Sequence, residues 1–575
     1  MKILLANSVG IDKEGYYIVH SPSRWSWGWK NYPEVFTYYP WELAYTSSLL
    51  KKETTHEVKF IDGCLEKLNR KEYLKRINVE KPDWLIMESS SRTINEDIEL
   101  AKSVKEIYGT SLIFCGAHPT AYPQETLKIA DYVCIGEYEH TVFDLISGKS
   151  PKDILGLYPN PRRPLLDFNS LPWPEDEDVS RLAYGIPGEP NCEYLEIQMY
   201  ASRGCPFGCK FCVSRHLYFA RPNWRPRKVE NIIAEIRYLR NKYPQLEGIF
   251  FDEEVHNGNK QFVMELTTAI KKAGLHKLKY NAMCAYWNMD REMLEAFKSA
   301  GYYKLRIGIE TGSEKIANSM GLGKKYNLEK LKEVLIIARE IGIKIYGTFT
   351  VGGLGSDQEE EKKTTELLYD LVSKGLLNDL QVSINTPQPG TPFYHEALGK
   401  GYLKNNIWSD FDGGNQAIVN YPYYSPKQIE ESFQDVLKHY DLALEERCHA
   451  NFRDNLAKNF EIFNKINKVL IFRSARMWHV NLIVEYLKKE FLNLKVGILG
   501  QEKIILELEK NRYIDNIYYY NHGFFNVDKF EQGLKTQLIS ECYDMVIIPH
   551  NNFKGVGYDE VENMAVMVNQ SKILI

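Results

Sequence analysis

The sequence predicts an α/β chain in three parts: an N-terminal doubly wound parallel sheet, a central partial (β/α)6 barrel and a small C-terminal Rossmann-like domain. Three observations predict it. Short apolar runs of strand length alternate with longer runs of helical period through three successive series. A stretch rich in Pro and acidic residues, 149–190, separates the first series from the second. Small and polar residues gather where the strands end, which is where open parallel sheets and barrels hold ligands. At 575 residues the chain also exceeds a single core, since cores stop growing near ~250–300 residues.

The first series, 1–148, opens with a strand over 3–6 and a helix over 40–50. A strand over 57–62 ends in Asp62-Gly63, and a helix follows over 68–79. The buried strand 84–88 ends in Ser89, Ser90 and Ser91. An amphipathic helix over 94–108 leads to a strand over 111–115, then Gly116-Ala117-His118-Pro119-Thr120. A last strand over 132–135 ends in Gly136-Glu137. Asn7, Ser89 to Ser91, Gly116 and Gly136 make room at the carboxyl ends of these strands. The first connection is interrupted by a long aromatic segment with Arg24, Trp25, Trp27 and Trp29, more than a connector requires. In the stretch 149–190, the acidic run Glu175-Asp176-Glu177-Asp178 reads as a solvated face.

The second series covers 191–400. A strand over 195–200 runs directly into Ala201-Ser202-Arg203-Gly204-Cys205-Pro206-Phe207-Gly208-Cys209-Lys210-Phe211-Cys212. The helix 229–239 sets Ile232, Ile233, Ile236 and Leu239 on one face. Strand 248–251 ends in Asp252-Glu253-Glu254. A strand over 279–283 precedes Ala285-Tyr286-Trp287 and a helix over 291–300. Strand 304–309 ends in Glu310-Thr311-Gly312-Ser313. A helix over 328–341 leads to strand 344–351, which ends in Gly352-Gly353. A helix over 360–374 leads to strand 380–385 and then Pro387-Gln388-Pro389-Gly390-Thr391. Six strands of this kind suggest an open barrel with its chemistry at the strands' C-terminal ends. Residues 401–464 carry Tyr421, Tyr423 and Tyr424 and a helix over 427–446. The third series, 465–575, has strands over 468–472, 494–499, 514–520, 544–549 and 572–575 and no Gly-rich phosphate loop. It reads as an accessory domain for substrate, carrier or partner recognition.

The sharpest local signal is Cys205, Cys209 and Cys212, spaced Cys-x3-Cys-x2-Cys. With 10 cysteines in the chain, such spacing arises by chance in roughly 0.003 of sequences. Three soft thiolates from one loop suit an iron–sulfur cluster. A four-iron cubane held by three of them keeps one iron open to a small chelating ligand. A structural zinc site needs four closed ligands, and beyond His216 no second pair of suitable spacing supports one. Gly204 and Gly208 let the backbone wrap closely, and Pro206 stiffens it. The remaining cysteines are scattered in mostly apolar contexts and read as reduced thiols.

This spacing resembles the signature of the radical S-adenosylmethionine (SAM) enzymes. The runs Cys115-Gly116-Ala117-His118-Pro119-Thr120-Ala121-Tyr122-Pro123 and Asp131-Tyr132-Val133-Cys134-Ile135-Gly136-Glu137-Tyr138-Glu139 resemble the cobalamin-binding domain that precedes many of them. The resemblance implies a [4Fe-4S] cluster on Cys205, Cys209 and Cys212, SAM at the open iron, and cobalamin. It places Phe211 near the adenine, Asp252 or Glu253 at the SAM amino group, and Glu310, Ser313 and Gly352 at SAM. It places cobalamin against Asn7, Ser89, Ser90, Ser91, Gly116, His118, Gly136 and Glu137. The Asp-x-His-x-x-Gly motif that ligates cobalt in the mutases does not occur, which implies cobalamin with its base detached. His118 reads as pocket lining, and Arg24 or a neighbouring Trp is a candidate beneath the cobalt. Ala285-Tyr286-Trp287 stands where many relatives carry an Arg. The post-barrel tyrosines read as a packed cluster, or as contacts that close the substrate cavity.

The implied activity is that of a cobalamin-dependent radical SAM C-methyltransferase acting on an unactivated carbon through a deoxyadenosyl radical. A cyclase or rearrangement enzyme with the same cofactors is one alternative, and a non-catalytic cobalamin or cluster sensor is another. Implied partners are a small-molecule or carrier-bound substrate and a reductant such as flavodoxin or ferredoxin. Composition agrees with a globular protein: 44% hydrophobic, 26% charged, net charge −4. No long basic run points to nucleic acid. No apolar run of ~18 residues and no charged leader occur, so no membrane span and a cytoplasmic location are expected.

Overall fold

The computed structural model describes the chain except for residues 20–26, 31–36, 186–191, 415, 459–465, 502–503, 523–524, 550–558, 570–572 and 575. Of 27–30, 324, 448–458, 559 and 573–574 it describes the backbone alone. Two compact units result: 1–371 with 375–439, and 440–575 with 372–374.

The first unit begins with β1 (Lys2–Val9), β2 (Glu57–Gly63), β3 (Trp84–Glu88), β4 (Ser111–Cys115) and β5 (Tyr132–Val133). They pair in parallel in the order β2-β1-β3-β4-β5. Both faces are buried, so the strands read as continuous apolar runs. Ile3, Leu5, Ile86 and Ile113 pack on one side with Leu43 and Leu50 of helix Trp41–Glu53. Leu4, Ala6, Leu85 and Met87 pack on the other with Tyr73 and Ile77 of helix Arg70–Glu80 and Leu100 of helix Ile94–Tyr108. Helix Arg70–Glu80 starts where Asn69 and Glu72 cap each other's backbone N–H at 3.0 Å. The strand order reverses between β1 and β3, which opens a crevice between Asn7 and Ser89 to Ser91.

The barrel strands follow: β6 (Glu196–Met199), β7 (Gly248–Phe251), β8 (Lys279–Cys284), β9 (Tyr302–Glu310), β10 (Lys344–Val351) and β11 (Asp379–Ile384). They are parallel and adjacent in chain order. The sheet curls into a partial barrel. The N-terminal sheet reaches it through residues 37–41. Tyr39 N–H donates to Gln198 Oε1 on β6 at 3.0 Å, and Trp41 stacks on Tyr200 with centroids 4.0 Å apart.

The stretch 149–190 corrects the sequence reading of its acidic run. Glu175 and Asp176 are buried. Glu175 accepts from Ser47 Oγ at 2.5 Å and pairs with Lys51 at 2.7 Å. Asp176 accepts from Arg181 N–H at 2.9 Å and Tyr243 O–H at 2.5 Å. Glu175 and Asp176 therefore pin this segment to both neighbours, while Glu177 faces water as expected. Two further differences are a hairpin of Tyr16–Val19 with Trp27–Lys30, and a post-barrel helix that extends over Pro426–Lys458. Arg24 and Trp25 lie outside the described residues.

In the second unit β12 (Lys468–Phe472), β13 (Lys495–Gln501), β14 (Asn516–Tyr520), β15 (Met545–Ile547) and β16 (Ile573–Leu574) pair in parallel in the order β14-β13-β12-β15-β16. Apolar clusters cover both faces. Among the described residues, no helix is long and apolar enough to cross a membrane.

Candidate active site

The cysteine loop is gripped at its base. Ser202 and Arg203 pair antiparallel with Pro226 and Arg225, which draws the chain into a loop directly after β6. Gly204 turns with φ +97°, and an added Cβ would lie 2.1 Å from Asn223 Oδ1, so a side chain has no room there. The Gly204 N–H donates to Glu254 Oε2 at 3.0 Å. Glu253 accepts from Ala201 N–H at 3.3 Å and is held by His256 Nδ1 at 2.6 Å. His256 Nε2 in turn meets the Tyr302 hydroxyl at 2.8 Å. Farther along, Lys210 N–H donates to Met320 O at 2.9 Å, and His216 Nε2 to Cys209 O at 3.1 Å. His216 thus supports the loop through a backbone carbonyl.

Cys205, Cys209 and Cys212 line one cavity of about 220 Å³ at the C-terminal ends of the barrel strands. Burial pushes all three thiols up, Cys212 to about 12, and for Cys205 and Cys212 repulsion from a neighbouring cysteine adds to it. The cationic core of a cluster removes that cost by taking the thiolate form. Among the described residues, no three His, Cys, Asp or Glu side chains close around a single ion. A cubane suits this donor set better, because each thiolate then binds a different iron.

On β9 the cavity wall is built from alternate residues, Arg306, Gly308 and Glu310, the inward half of the pleat. Glu310 ends β9 at φ +69°, a strained position for a side-chain-bearing residue. Its carboxylate meets Lys325 Nζ at 2.6 Å. Gly308 leaves room for the pair: a Cβ there would lie 2.6 Å from Glu310 Oε1 and 2.7 Å from Lys325 Nζ. Burial opposes the charge on Lys325, but the Glu310 carboxylate and the Cys209 sulfur outweigh it and hold the ammonium above the ordinary lysine range.

The sequence-expected SAM residues divide. Phe211, Asp252 and Glu310 line the cavity with the three cysteines. Glu253 does not; it anchors the backbone ahead of the loop. Ser313 caps helix Glu314–Ser319, accepting from Ile316 N–H at 3.2 Å and donating to Glu360. Gly352 donates its N–H to Glu361 Oε1 at 2.7 Å and accepts from the Tyr421 hydroxyl, so it supports the wall from behind. Tyr421, Tyr423 and Tyr424 lie outside the lining as well, and Tyr421 stacks on Tyr423. The sequence reading missed Glu254, Lys325, Arg306 and Tyr38, all of which line the cavity. Glu254 belongs to the acidic run after β7 and was within reach; the other three carry no local signature.

At the crevice of the N-terminal sheet, Asn7 donates to Asp62 at 3.3 Å while its Oδ1 stays buried and unpaired. Ser91 Oγ meets His118 Nδ1 at 3.0 Å, and His118 Nε2 is likewise buried without a partner. Burial pushes His118 down to about 3, so its imidazole is neutral. Gly116 bends at φ +104°, and a Cβ there would lie 2.7 Å from Ser89 O. Ser90 shares its hydroxyl with Thr93 at 3.4 Å. Orphaned polar atoms beside a tight glycine turn fit a large ligand with a polar rim. Gly136 and Glu137 depart from the expected role. A Cβ on Gly136 would lie 2.7 Å from the Arg162 guanidinium. The Glu137 carboxylate is taken up by Arg203, Arg225 and the Leu166 N–H.

Two family models match this chain: the Radical SAM superfamily over residues 199–368 and the B12 binding domain over 35–146. The two matches together support a cobalamin-dependent radical SAM family for this chain. Its cofactors are a [4Fe-4S] cluster, SAM and cobalamin. It is 28% identical over 409 residues to an uncharacterized methyltransferase of Pyrococcus horikoshii, covering 68% of this chain and 85% of that one. The fold is similar to the cobalamin-dependent SAM radical enzyme OxsB, solved with aqua-cobalamin and SAM, at TM-score 0.57 and 14% identity over 86% of this chain and 71% of that one. It is also similar to the radical SAM methyltransferase TsrM of Kitasatospora setae, solved with tryptophan and a SAM analogue, at TM-score 0.55 and 15% identity over 70% and 77%.

Proposed function

We propose that this radical SAM enzyme is a C-methyltransferase that methylates an unactivated carbon of a small or carrier-bound substrate. The observation that supports this most is Tyr38. It comes from the segment leading into the cobalamin domain's first helix, yet it lines the cavity of the three cysteines, so one chamber draws on both cofactor domains. The methyltransferase names of the Pyrococcus and Kitasatospora relatives agree with the reading.

Bound together, the three groups supply one-electron chemistry at SAM and a transferable methyl. The chain's own residues do the rest. Cys205, Cys209 and Cys212 hold the cluster, and Glu253 and Glu254 fix the backbone before it. Asp252 and the Glu310–Lys325 pair present charge to a ligand that carries both an ammonium and a carboxylate. Phe211, Met283 and Phe349 give the cavity apolar wall, which keeps water from a reactive carbon. Asn7, Ser89, Ser91, Gly116 and His118 hold cobalamin at the edge of the first sheet. An acidic one-electron donor such as flavodoxin or ferredoxin is the proposed reductant.

A ring-closing or rearrangement activity uses the same residues and differs in stoichiometry. Anaerobically reconstituted protein is incubated with SAM, reductant and candidate substrates. S-adenosylhomocysteine and deoxyadenosine formed with methylated product support methyl transfer. Deoxyadenosine without S-adenosylhomocysteine moves the assignment to the alternative. No SAM cleavage at all would leave a sensor.

A further inference from the structure

An unbroken run of polar contacts ties Cys205 to the N-terminal sheet. The Cys205 carbonyl accepts the Asn223 N–H at 3.1 Å. Asn223 Oδ1 accepts from Arg225 Nε at 3.0 Å. Arg225 then grips Glu137 at two points, Nη2 to Oε1 at 2.8 Å and Nη1 to Oε2 at 3.0 Å, the planar match that guanidinium and carboxylate make. Leu166 closes the arrangement: its carbonyl accepts from Arg225 Nη1 at 2.7 Å, and its N–H donates to Glu137 Oε2 at 3.2 Å. On the other leg of the loop, Arg203 Nη1 reaches Glu137 Oε1 at 3.3 Å and Glu139 Oε1 at 2.5 Å. Arg203 and Arg225 face each other in the two-stranded base of the loop. The Glu137 carboxylate therefore stands between both legs.

We propose that Glu137 is a positioning residue for the iron–sulfur loop, supplied by the cobalamin domain. Acting through Arg225 and Asn223, it fixes the Cys205 end of the loop. Its negative charge also offsets the Arg203 and Arg225 guanidiniums at the base of the loop. The inference rests on the assignment of Cys205, Cys209 and Cys212 as cluster ligands. A carboxylate that merely joined two domains would affect stability but leave the cluster's electronic signature alone.

The test uses the full chain, reconstituted anaerobically, as wild type, Glu137→Gln, Glu137→Asp and Asn223→Ala. Iron and sulfide content, the EPR spectrum of the reduced cluster and its midpoint potential are measured. Glu137→Gln leaves Arg203 paired with Glu139 and Arg225 with the Leu166 carbonyl and Asn223; the added positive field favours the reduced cluster and moves the potential upward. Asn223→Ala changes no charge and cuts the link to Arg225, so it shifts the EPR g values with little change in potential. Glu137→Asp keeps the charge, loses the two-point grip and behaves like Asn223→Ala. Wild-type g values and potential in both Glu137→Gln and Asn223→Ala would overturn the proposal. Should Glu137→Gln fail to fold, the half-exposed Asn223→Ala decides alone. A wild-type chain without iron and sulfide would refute the cluster assignment instead.

Discussion

Replacing Gly204 with Ala tests whether the cysteine loop is built to one shape. Gly204 turns at φ +97°, a conformation that costs an L-residue about 1–2 kcal/mol. The new methyl would also lie 2.1 Å from Asn223 Oδ1, 2.7 Å from its Cγ and 3.0 Å from its carbonyl oxygen. Asn223 must swing away and give up its contact with the Arg225 guanidinium, a charge-assisted bond worth about 1.5–3 kcal/mol. The two effects together come to about 2.5–5 kcal/mol against the cluster-holding shape, or roughly 70- to 5,000-fold in its population. Gly208 is the internal control, because nothing lies within 4 Å of a Cβ placed there. Anaerobic reconstitution followed by iron and sulfide analysis should show Gly204→Ala losing most of its cluster and Gly208→Ala keeping it. Full iron content in Gly204→Ala, or a greater loss in Gly208→Ala, would refute the argument.

Burial pushes the Glu42 carboxyl up to about 8, Arg203 opposing and Glu139 adding. The folded chain keeps a proton that the unfolded chain releases, so this stabilisation is whole below about pH 4.5 and lost as pH rises through about 8. At about 1.4 kcal/mol per unit the loss approaches 4–5 kcal/mol, and Glu42→Gln should melt at a higher temperature than wild type at pH 9 but not at pH 5. Lys325→Met strands Glu310 in the cavity, and breaking such a buried pair costs about 3–5 kcal/mol; equilibrium dialysis should show SAM binding weakened at least tenfold with cobalamin absorbance intact. Gly116→Ala sets a methyl 2.7 Å from the Ser89 carbonyl, which cannot move aside, so gel-filtered protein should lose cobalamin while its iron content holds.

Legibility in the sequence followed the range of the interactions. The strands at 84–88, 111–115, 248–251, 344–351 and 468–472 coincide with Trp84–Glu88, Ser111–Cys115, Gly248–Phe251, Lys344–Val351 and Lys468–Phe472. A strand buried on both faces writes itself as an apolar run. The three cysteines were equally legible, because their ligand spacing is local. Charges that act over long separations were not. Glu137 finds Arg203 66 residues away and Arg225 88 away. Glu175 finds Ser47 128 residues away. Family position suggested a cobalamin contact for the first and the acidic run suggested solvent for the second, and a distant cation or hydroxyl decided otherwise. Ser313 was misread for a different reason. A Ser directly before Glu314 at the start of a helix is an N-cap signature, and the motif resemblance masked it.

The seam between the cobalamin domain and the barrel explains why both lie in one compact unit. Its apolar part is a single cluster running from Ile86 and Ile113 through Tyr138 to Tyr200, Leu217 and Tyr218, which supplies area but little register. Its polar part supplies register: Tyr218 donates to Glu88 at 3.4 Å, and Arg203 lies against the Phe168 ring at 4.7 Å while paired to Glu139. Both Glu42 oxygens, Glu88 Oε2, Glu139 Oε2 and Arg203 Nη2 are buried there with no protein partner. Such atoms cost about 1–3 kcal/mol each unless water meets them, so the seam holds ordered water or gives up stability for alignment. Either way the barrel is incomplete by itself. Expressed alone, residues 191–439 expose Tyr200, Leu217 and Tyr218 and leave Arg203 and Arg225 without Glu137 and Glu139. That fragment should aggregate, or remain soluble only without iron. A monomeric fragment with a full cluster would show that the cobalamin domain is docked onto a finished barrel and does not build part of it.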